Sequence, residues 1–244
     1  MPTMDFEVYL PTEVGAEERR AALAELARWE DRAGVEMAVV MPLPTPRPDN
    51  RALVETLGDD PRWIACCQVD PNAPGAADEV RRAVAELGCR VLKVMPAIYN
   101  APPTGAAVRA LLDLARELGI AVNIHSGGNN SHPLEIGALA RRYPEVPIIM
   151  DHMGYRNDGR AAILAAQDNP NVHLGATIAA FEPSFVATAI REVGAERVIF
   201  GSNFPACYPD LALEALRRGD FGHEAEALVF GENLARLLGV KREA

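Results

Sequence analysis

From Met4 the chain alternates apolar and polar residues. In MDFEVYL, Met4, Phe6, Val8 and Leu10 fall on one face of a strand, and Asp5, Glu7 and Tyr9 on the other. The next segment, AEERRAALAELARWEDRAG, changes period. Leu23, Leu26, Ala27 and Trp29 recur near one helical face, and Gly34 ends it. VEMAVVMP then reads as a buried strand, PTPRPDN as a loop and residues 50–57 as a short helix. The alternation continues to the end of the chain. Strands are expected near residues 4–10, 35–41, 63–68, 90–95, 120–125, 147–152, 172–177 and 197–201, each followed by a helical segment. Eight such units in a chain of about 250 residues are the size of a single-domain (β/α)8 TIM barrel spanning 1–244. An open doubly wound sheet is the competing fold, but Leu10-Pro11-Thr12-Glu13 is not the glycine-rich turn such folds place after strand one.

In a barrel, the ends of the strands locate the chemistry. Here the C-terminal ends carry Glu7 and Tyr9 (first strand), Lys93 (fourth), Asn123 and His125 (fifth), Asp151 and His152 (sixth) and Asn203 (eighth). The loops beyond add Arg47, Tyr99, Asn129, Asn130, His132, Tyr155, Arg156, Cys207 and Tyr208. Each has a structural alternative: a lone strand-end histidine is commonly just hydrogen-bonded, Lys93 can snorkel to water, and Asp151 can cap a turn. Convergence of five strands on one mouth is what those separate readings leave unexplained. Burying Glu7 costs several kcal/mol, on the order of what a missing partner costs, unless a cation or metal meets it. The Lys93 ammonium, at the end of the fourth strand in the same mouth, is one such cation.

Composition narrows the partners. Hydrophobic residues make up 49% of the 244, ample for a large core, and the formal net charge is -10. With no basic stripe, nucleic acid is not an expected partner. The four cysteines, Cys66, Cys67, Cys89 and Cys207, contain no C-x-x-C, so a disulfide framework or structural zinc is not expected. The sequence shows neither a signal peptide nor an 18-residue apolar run, so a cytoplasmic location without membrane contact is expected. Oligomeric state is left open, a homo-oligomer included.

The segments RAGVEMAVVMP, VDPNAPGAADEVRRAVAELGCRVLKVMP, ARELGIAVNIHSG, IIMDHMG, VIFGSNFP and GENLARLLGV lie in an order and spacing that resembles the lactonase and decarboxylase branch of the amidohydrolase superfamily, nearly end to end. That resemblance implies a divalent-metal site: D-x-H-x-H at the first strand, histidines after strands five and six, and an aspartate after strand eight that serves as ligand and base. This chain reads Asp5-Phe6-Glu7-Val8-Tyr9 at the opening, keeps His125 and His152, and has Asn203 in Gly201-Ser202-Asn203-Phe204-Pro205. Some decarboxylases of the branch resemble E-x-H at the opening, so the departures are Tyr9 and Asn203. A phenol and an amide are poor ligands, and an amide cannot accept a proton. Zinc or manganese is therefore expected to be held weakly, by Glu7 and His125, or not at all, and with so thin a ligand set Lys93 is preferred over a metal as the partner of Glu7.

The resemblance implies an enzyme with His125, His152, Lys93, Asn203 and Tyr9 as catalytic residues. Arg156, Tyr99, Asn129 and Arg47 are expected to hold a small anionic substrate, since guanidinium pairs bidentately with carboxylate. The leading function is hydrolysis of a small cyclic, carboxylate-bearing ester (lactone) or amide. A nonoxidative decarboxylase of a carboxylated ring compound and a catalytically inactive metabolite-binding barrel are the alternatives.

Overall fold

The computed structural model describes residues 2–128, 130–177 and 182–240. It contains eight strands: β1 (Met4–Leu10), β2 (Met37–Pro42), β3 (Trp63–Gln68), β4 (Val91–Val94), β5 (Ala121–Ile124), β6 (Ile148–Met150), β7 (Val172–Ala176) and β8 (Val198–Phe200). Each pairs in parallel with the next, in chain order. The ring is sealed just beyond β8. Val8 bridges Phe204, the Asn203 N–H donates to the Glu7 carbonyl at 2.9 Å, and the Tyr9 N–H donates to the Phe204 carbonyl at 2.9 Å. The expected (β/α)8 barrel is therefore what this sequence forms.

Helices fill the crossovers. They are α1 (Ala16–Ala33), α2 (Asn50–Leu57), α3 (Ala76–Ala85), α4 (Pro96–Tyr99), α5 (Ala106–Leu118), α6 (Pro133–Ala140), α7 (Gly159–Asp168), α8 (Pro183–Val193), α9 (Pro209–Arg217), α10 (His223–Ala227) and α11 (Asn233–Leu238). Among the described residues, no helix is long and apolar enough to cross a membrane. All four cysteines are free and buried.

Two apolar layers result. One lies between strands and helices and includes Val8, Leu10, Val40, Leu92 and Ile124 from the strands. The other fills the barrel, with Met4, Phe6, Tyr9, Val39, Met41, Ile64 and Ile149, and is closed at the N-terminal strand ends by Leu234 and Leu238 of α11. Strand β1 crosses between these layers. Its register to β2 shifts between Asp5 and Val8, so a bulge places one extra residue on β1. Met4 and Phe6 face inward, and so does Tyr9, while Val8 and Leu10 face outward. Simple alternation along residues 4–10 is therefore corrected: Asp5 does not share the inward face of Glu7 and Tyr9.

Phe6 occupies the barrel centre so fully that a Cβ on Gly175 or Gly201 would come within 2.3 or 2.6 Å of its ring. Both positions, Gly175 on β7 and Gly201 just past β8, need glycine, because the phenyl ring leaves no room.

Outside the barrel, two carboxylates are buried on the β1–α1 side. Asp5 pairs in register with the outward-facing Ala38, and its oxygens accept from the Ser202 N–H at 3.0 Å and the Glu7 N–H at 2.9 Å. Burial still pushes the Asp5 carboxyl up to about 7. Glu30 of α1 is wholly buried, and neither carboxylate oxygen has a hydrogen-bond partner among the described residues. Burial, with Asp5 adding to it, pushes Glu30 up to about 10. Glu30 stands one helical turn after Leu26, on the buried stripe of α1.

Candidate active site

On β4 the inward positions are Val91 and Lys93, and register sets Lys93 between Gln68 of β3 and Asn123 of β5. A lysine directed into a closed barrel cannot reach water, and its side chain is 0% exposed. Three acceptors meet the ammonium: Glu7 Oε1 at 3.1 Å, Asn123 Oδ1 at 3.3 Å and, closer still, Asp151 Oδ2. Burial works against the charge on Lys93, but Asp151 and Glu7 outweigh it and hold the ammonium above its ordinary pKa. This settles what Glu7 faces in the fold: the ammonium of Lys93.

The two carboxylates share that charge unequally. Burial pushes Asp151 up, but His152, Lys93 and His125 beside it outweigh that and bring it down to about 2. Its second oxygen accepts from the Ser126 N–H at 2.8 Å. Glu7 is raised by burial and by Asp151, against the pull of Lys93 and His152. Its Oε1 also accepts from the Tyr9 hydroxyl, while Oε2 has no partner among the described residues. Burial and the Glu7 charge keep the Tyr9 phenol well above its ordinary range, so it stays a neutral donor.

Two imidazoles lie above this floor. Strand β6 ends at Met150, shorter than the expected 147–152, because Asp151–Gly154 turn over as a 3-10 segment with His152 at φ 55° and Met153 at φ 47°. Left-handed backbone at non-glycine residues costs on the order of 1 kcal/mol or more each, and the turn puts Asp151 below and His152 at the mouth. His152 Nδ1 bonds Thr177 Oγ1, beyond β7, and Nε2 stands 3.7 Å from Asp151 Oδ2 and 4.0 Å from Glu7 Oε1. The His125 ring lies 5.0 Å away at 77°. Burial brings His125 down to about 4, leaving it neutral, and its Nδ1 has no partner among the described residues.

Above the imidazoles opens a cavity of about 700 Å³, lined by Tyr9, Leu43, Pro44, Met95, Ala97, His125, Gly127, Gly128, His152, Tyr155, Asn203, Pro205 and Ala206. No lysine or arginine stands among these residues. A larger cavity, of about 1020 Å³, lies around Trp63, Arg62 and Arg90 at the opposite strand ends, away from the imidazoles.

The fold thus gathers Glu7, Tyr9, Lys93, His125, His152 and Asn203. Lys93 and Glu7 lie beneath the cavity and do not line it. The expected substrate-binding residues are dispersed. Tyr99 is buried, donating to the Thr45 carbonyl at 2.7 Å and accepting from Gln68 Nε2 at 2.9 Å, which turns it away from the mouth. Arg47 is exposed beside a separate small cavity. Arg156 is exposed, its guanidinium 5.6 Å from the Tyr155 ring at the rim. Asn129 lies outside the described residues. Asp151 belongs to the site, although its sequence position was equally compatible with capping a turn. Its signal was adjacency to His152 at a strand end.

Beside the expected metal pair, Glu7 with His125, stands a second grouping. His125, Asp151 and His152 offer ligand atoms within 4.8 Å of one another. Two imidazoles and a carboxylate suit a divalent ion in identity. The Asp151 carboxylate, however, already bonds the Lys93 ammonium, and with that charge in place the group does not fit a divalent ion.

The amidohydrolase family pattern matches residues 10–240. No curated protein sequence matches the chain. Among solved structures, a protein from Pseudomonas putida provisionally named a 2-pyrone-4,6-dicarboxylic acid hydrolase is similar at 18% identity and a TM-score of 0.78, covering 99% of both chains. The 5-carboxyvanillate decarboxylase of Sphingomonas paucimobilis is similar at 16% identity and a TM-score of 0.76, over 98% of this chain and 99% of that one. A dihydroxybenzoic acid decarboxylase from Polaromonas, with bound manganese and the inhibitor 2-nitroresorcinol, is similar at 18% identity and a TM-score of 0.73, over 99% of this chain and 98% of that one. At these identities, the likeness establishes a common barrel.

Proposed function

The chain belongs to the amidohydrolase family, and from that premise we propose that it hydrolyses a small cyclic ester or amide whose ring carries a carboxylate. The observation that carries this reading is His152: it lines the cavity with two buried carboxylates, Asp151 and Glu7, behind its Nε2 at 3.7 and 4.0 Å. With Nδ1–H assigned as donor to Thr177 Oγ1, Nε2 is free to take a proton from water attacking the ring carbonyl. The carboxylates stabilise the imidazolium as it forms. The Asn203 amide and the neutral His125 ring, both in the cavity wall, donate to the carbonyl oxygen as it becomes negative. The new C–O bond forms, the ring C–O or C–N bond breaks, and His152 returns its proton to the leaving atom. Asn203 is thus a donor where an aspartate would have been a base.

Decarboxylation is the second reading of the family. It calls for a cation against the departing carboxylate, and the lining residues carry none. The ring would rest against Leu43, Pro44 and Met95, with its carboxylate at the rim towards Arg156.

The test is a panel of lactones, lactams and hydroxybenzoates, followed by acid release and by carbon dioxide release. Ring opening is expected, with Asn203→Ala lowering kcat about 100-fold at little change in KM. Carbon dioxide release without ring opening would overturn the proposal.

A further inference from the structure

We infer that the Lys93 ammonium is the resident cation of this site and that it blocks a latent divalent-metal site formed by His125, Asp151 and His152. The argument is geometric. Asp151 Oδ2 is the oxygen that stands 3.7 Å from His152 Nε2, and the same oxygen bonds Lys93 Nζ. An ion using that oxygen with the two imidazoles would have the ammonium as its immediate neighbour. Both positive charges would lie where no water screens them, since Lys93, Glu7 and Asp151 are each 0% exposed.

Lys93 cannot withdraw to make room. Its stem leaves β4 between Gln68 and Asn123, its ammonium passes 5.7 Å from the Tyr9 ring, and its acceptors come from β1, β5 and the end of β6. The surplus of donor atoms points to the latent site. Glu7 Oε2 and His125 Nδ1 are buried without partners among the described residues. A fixed single positive charge therefore stands against the floor's two carboxylates; it orders them behind His152 but offers no open coordination position to a water. The inference rests on the same cluster as the proposed hydrolase, yet its measurement is of ion binding, so either can fail alone.

The experiment is calorimetric titration of manganese or zinc into the wild type, Lys93→Met and the double variant Lys93→Met/Glu7→Gln, with manganese electron spin resonance as a second readout. The double variant removes the ammonium together with one of its two carboxyl partners, and so leaves fewer groups uncompensated if the single variant fails to fold. Each folded variant is expected to bind manganese on the order of 100-fold more tightly than the wild type. Adding His125→Ala to the double variant should abolish the gain, which places the ion in this cluster. Wild-type affinity equal to that of the variants, no gain in the folded variants, or a gain that survives His125→Ala would overturn the inference.

Discussion

Inside the barrel, Glu7 and Asp151 are fully buried around an ammonium; outside it, on the β1–α1 side, Asp5 and Glu30 are also buried, and no salt bridge reaches either among the described residues. Burial alone drives a carboxyl upward, as Glu30 at about 10 shows. With Lys93 in contact, together with the two imidazoles, Asp151 instead falls to about 2. Glu7 of β1, raised by burial and by Asp151 against the pull of Lys93 and His152, stands between these two limits. What separates Asp151 from Glu30 is its set of cationic neighbours, not depth.

The sharpest way to break this contrast is to remove the partner. Lys93→Met should cost about 3–5 kcal/mol of stability, the usual effect of leaving buried charges uncompensated, and should be read from urea unfolding. A loss below about 1 kcal/mol would mean that the two regions do not differ as described. Catalysis should belong to the charged side alone. His152→Gln is expected to lower kcat by about 100-fold or more, measured on whichever ring substrate the panel yields. Glu30→Gln should leave turnover at pH 7 unchanged.

Glu30→Gln sharpens the other side of the contrast through pH. Glu30 has its folded pKa raised from 4.5 to about 10, so the folded state holds a proton that the unfolded state releases. Its contribution to stability is complete below about pH 4.5 and is lost as pH rises towards 10, at up to about 1.4 kcal/mol per unit. The variant should match the wild type most closely at pH 5 and be the more stable protein at pH 9, by urea midpoint. Asp5, raised to about 7, leaves a residual slope of the same sign below neutrality. Parallel profiles for the two proteins would show that Glu30 is ionised in the fold. The smallest effect expected is at the rim: Arg156→Ala should raise KM a few-fold, up to about 10-fold, for carboxylated rings only, since an exposed charge contributes about 1 kcal/mol.

Hydrophobic periodicity made the eight-unit barrel legible, because each strand and helix satisfies its own period locally. It also placed Glu7, Lys93, His125, His152 and Asn203 at one end. The β1 bulge was not legible: a single inserted residue leaves composition and apparent alternation intact, yet it sends Phe6 and Tyr9 to one side and Val8 to the other. Arg47 and Tyr99 were placed by loop proximity, which says nothing about side-chain direction. Glu30 carried a usable signal in its i, i+4 relation to Leu26, visible once α1 is drawn as a wheel.

The seal of the barrel has a further bearing on how the protein comes into being. Ser202 donates to Asp5 across 197 positions of sequence, and Asn203 and Phe204 bond Glu7 and Tyr9 at the same seam. A nascent chain emerging from its N-terminus has β2 beside β1 early, but must wait for almost the whole polypeptide before the seam partner of Glu7 exists. Closing so long a loop is entropically expensive and comes late. The seam also carries two of the proposed catalytic positions, so catalytic competence and completion of the ring should arrive together, and fragments ending before residue 203 should bury part of a core yet hold no working mouth.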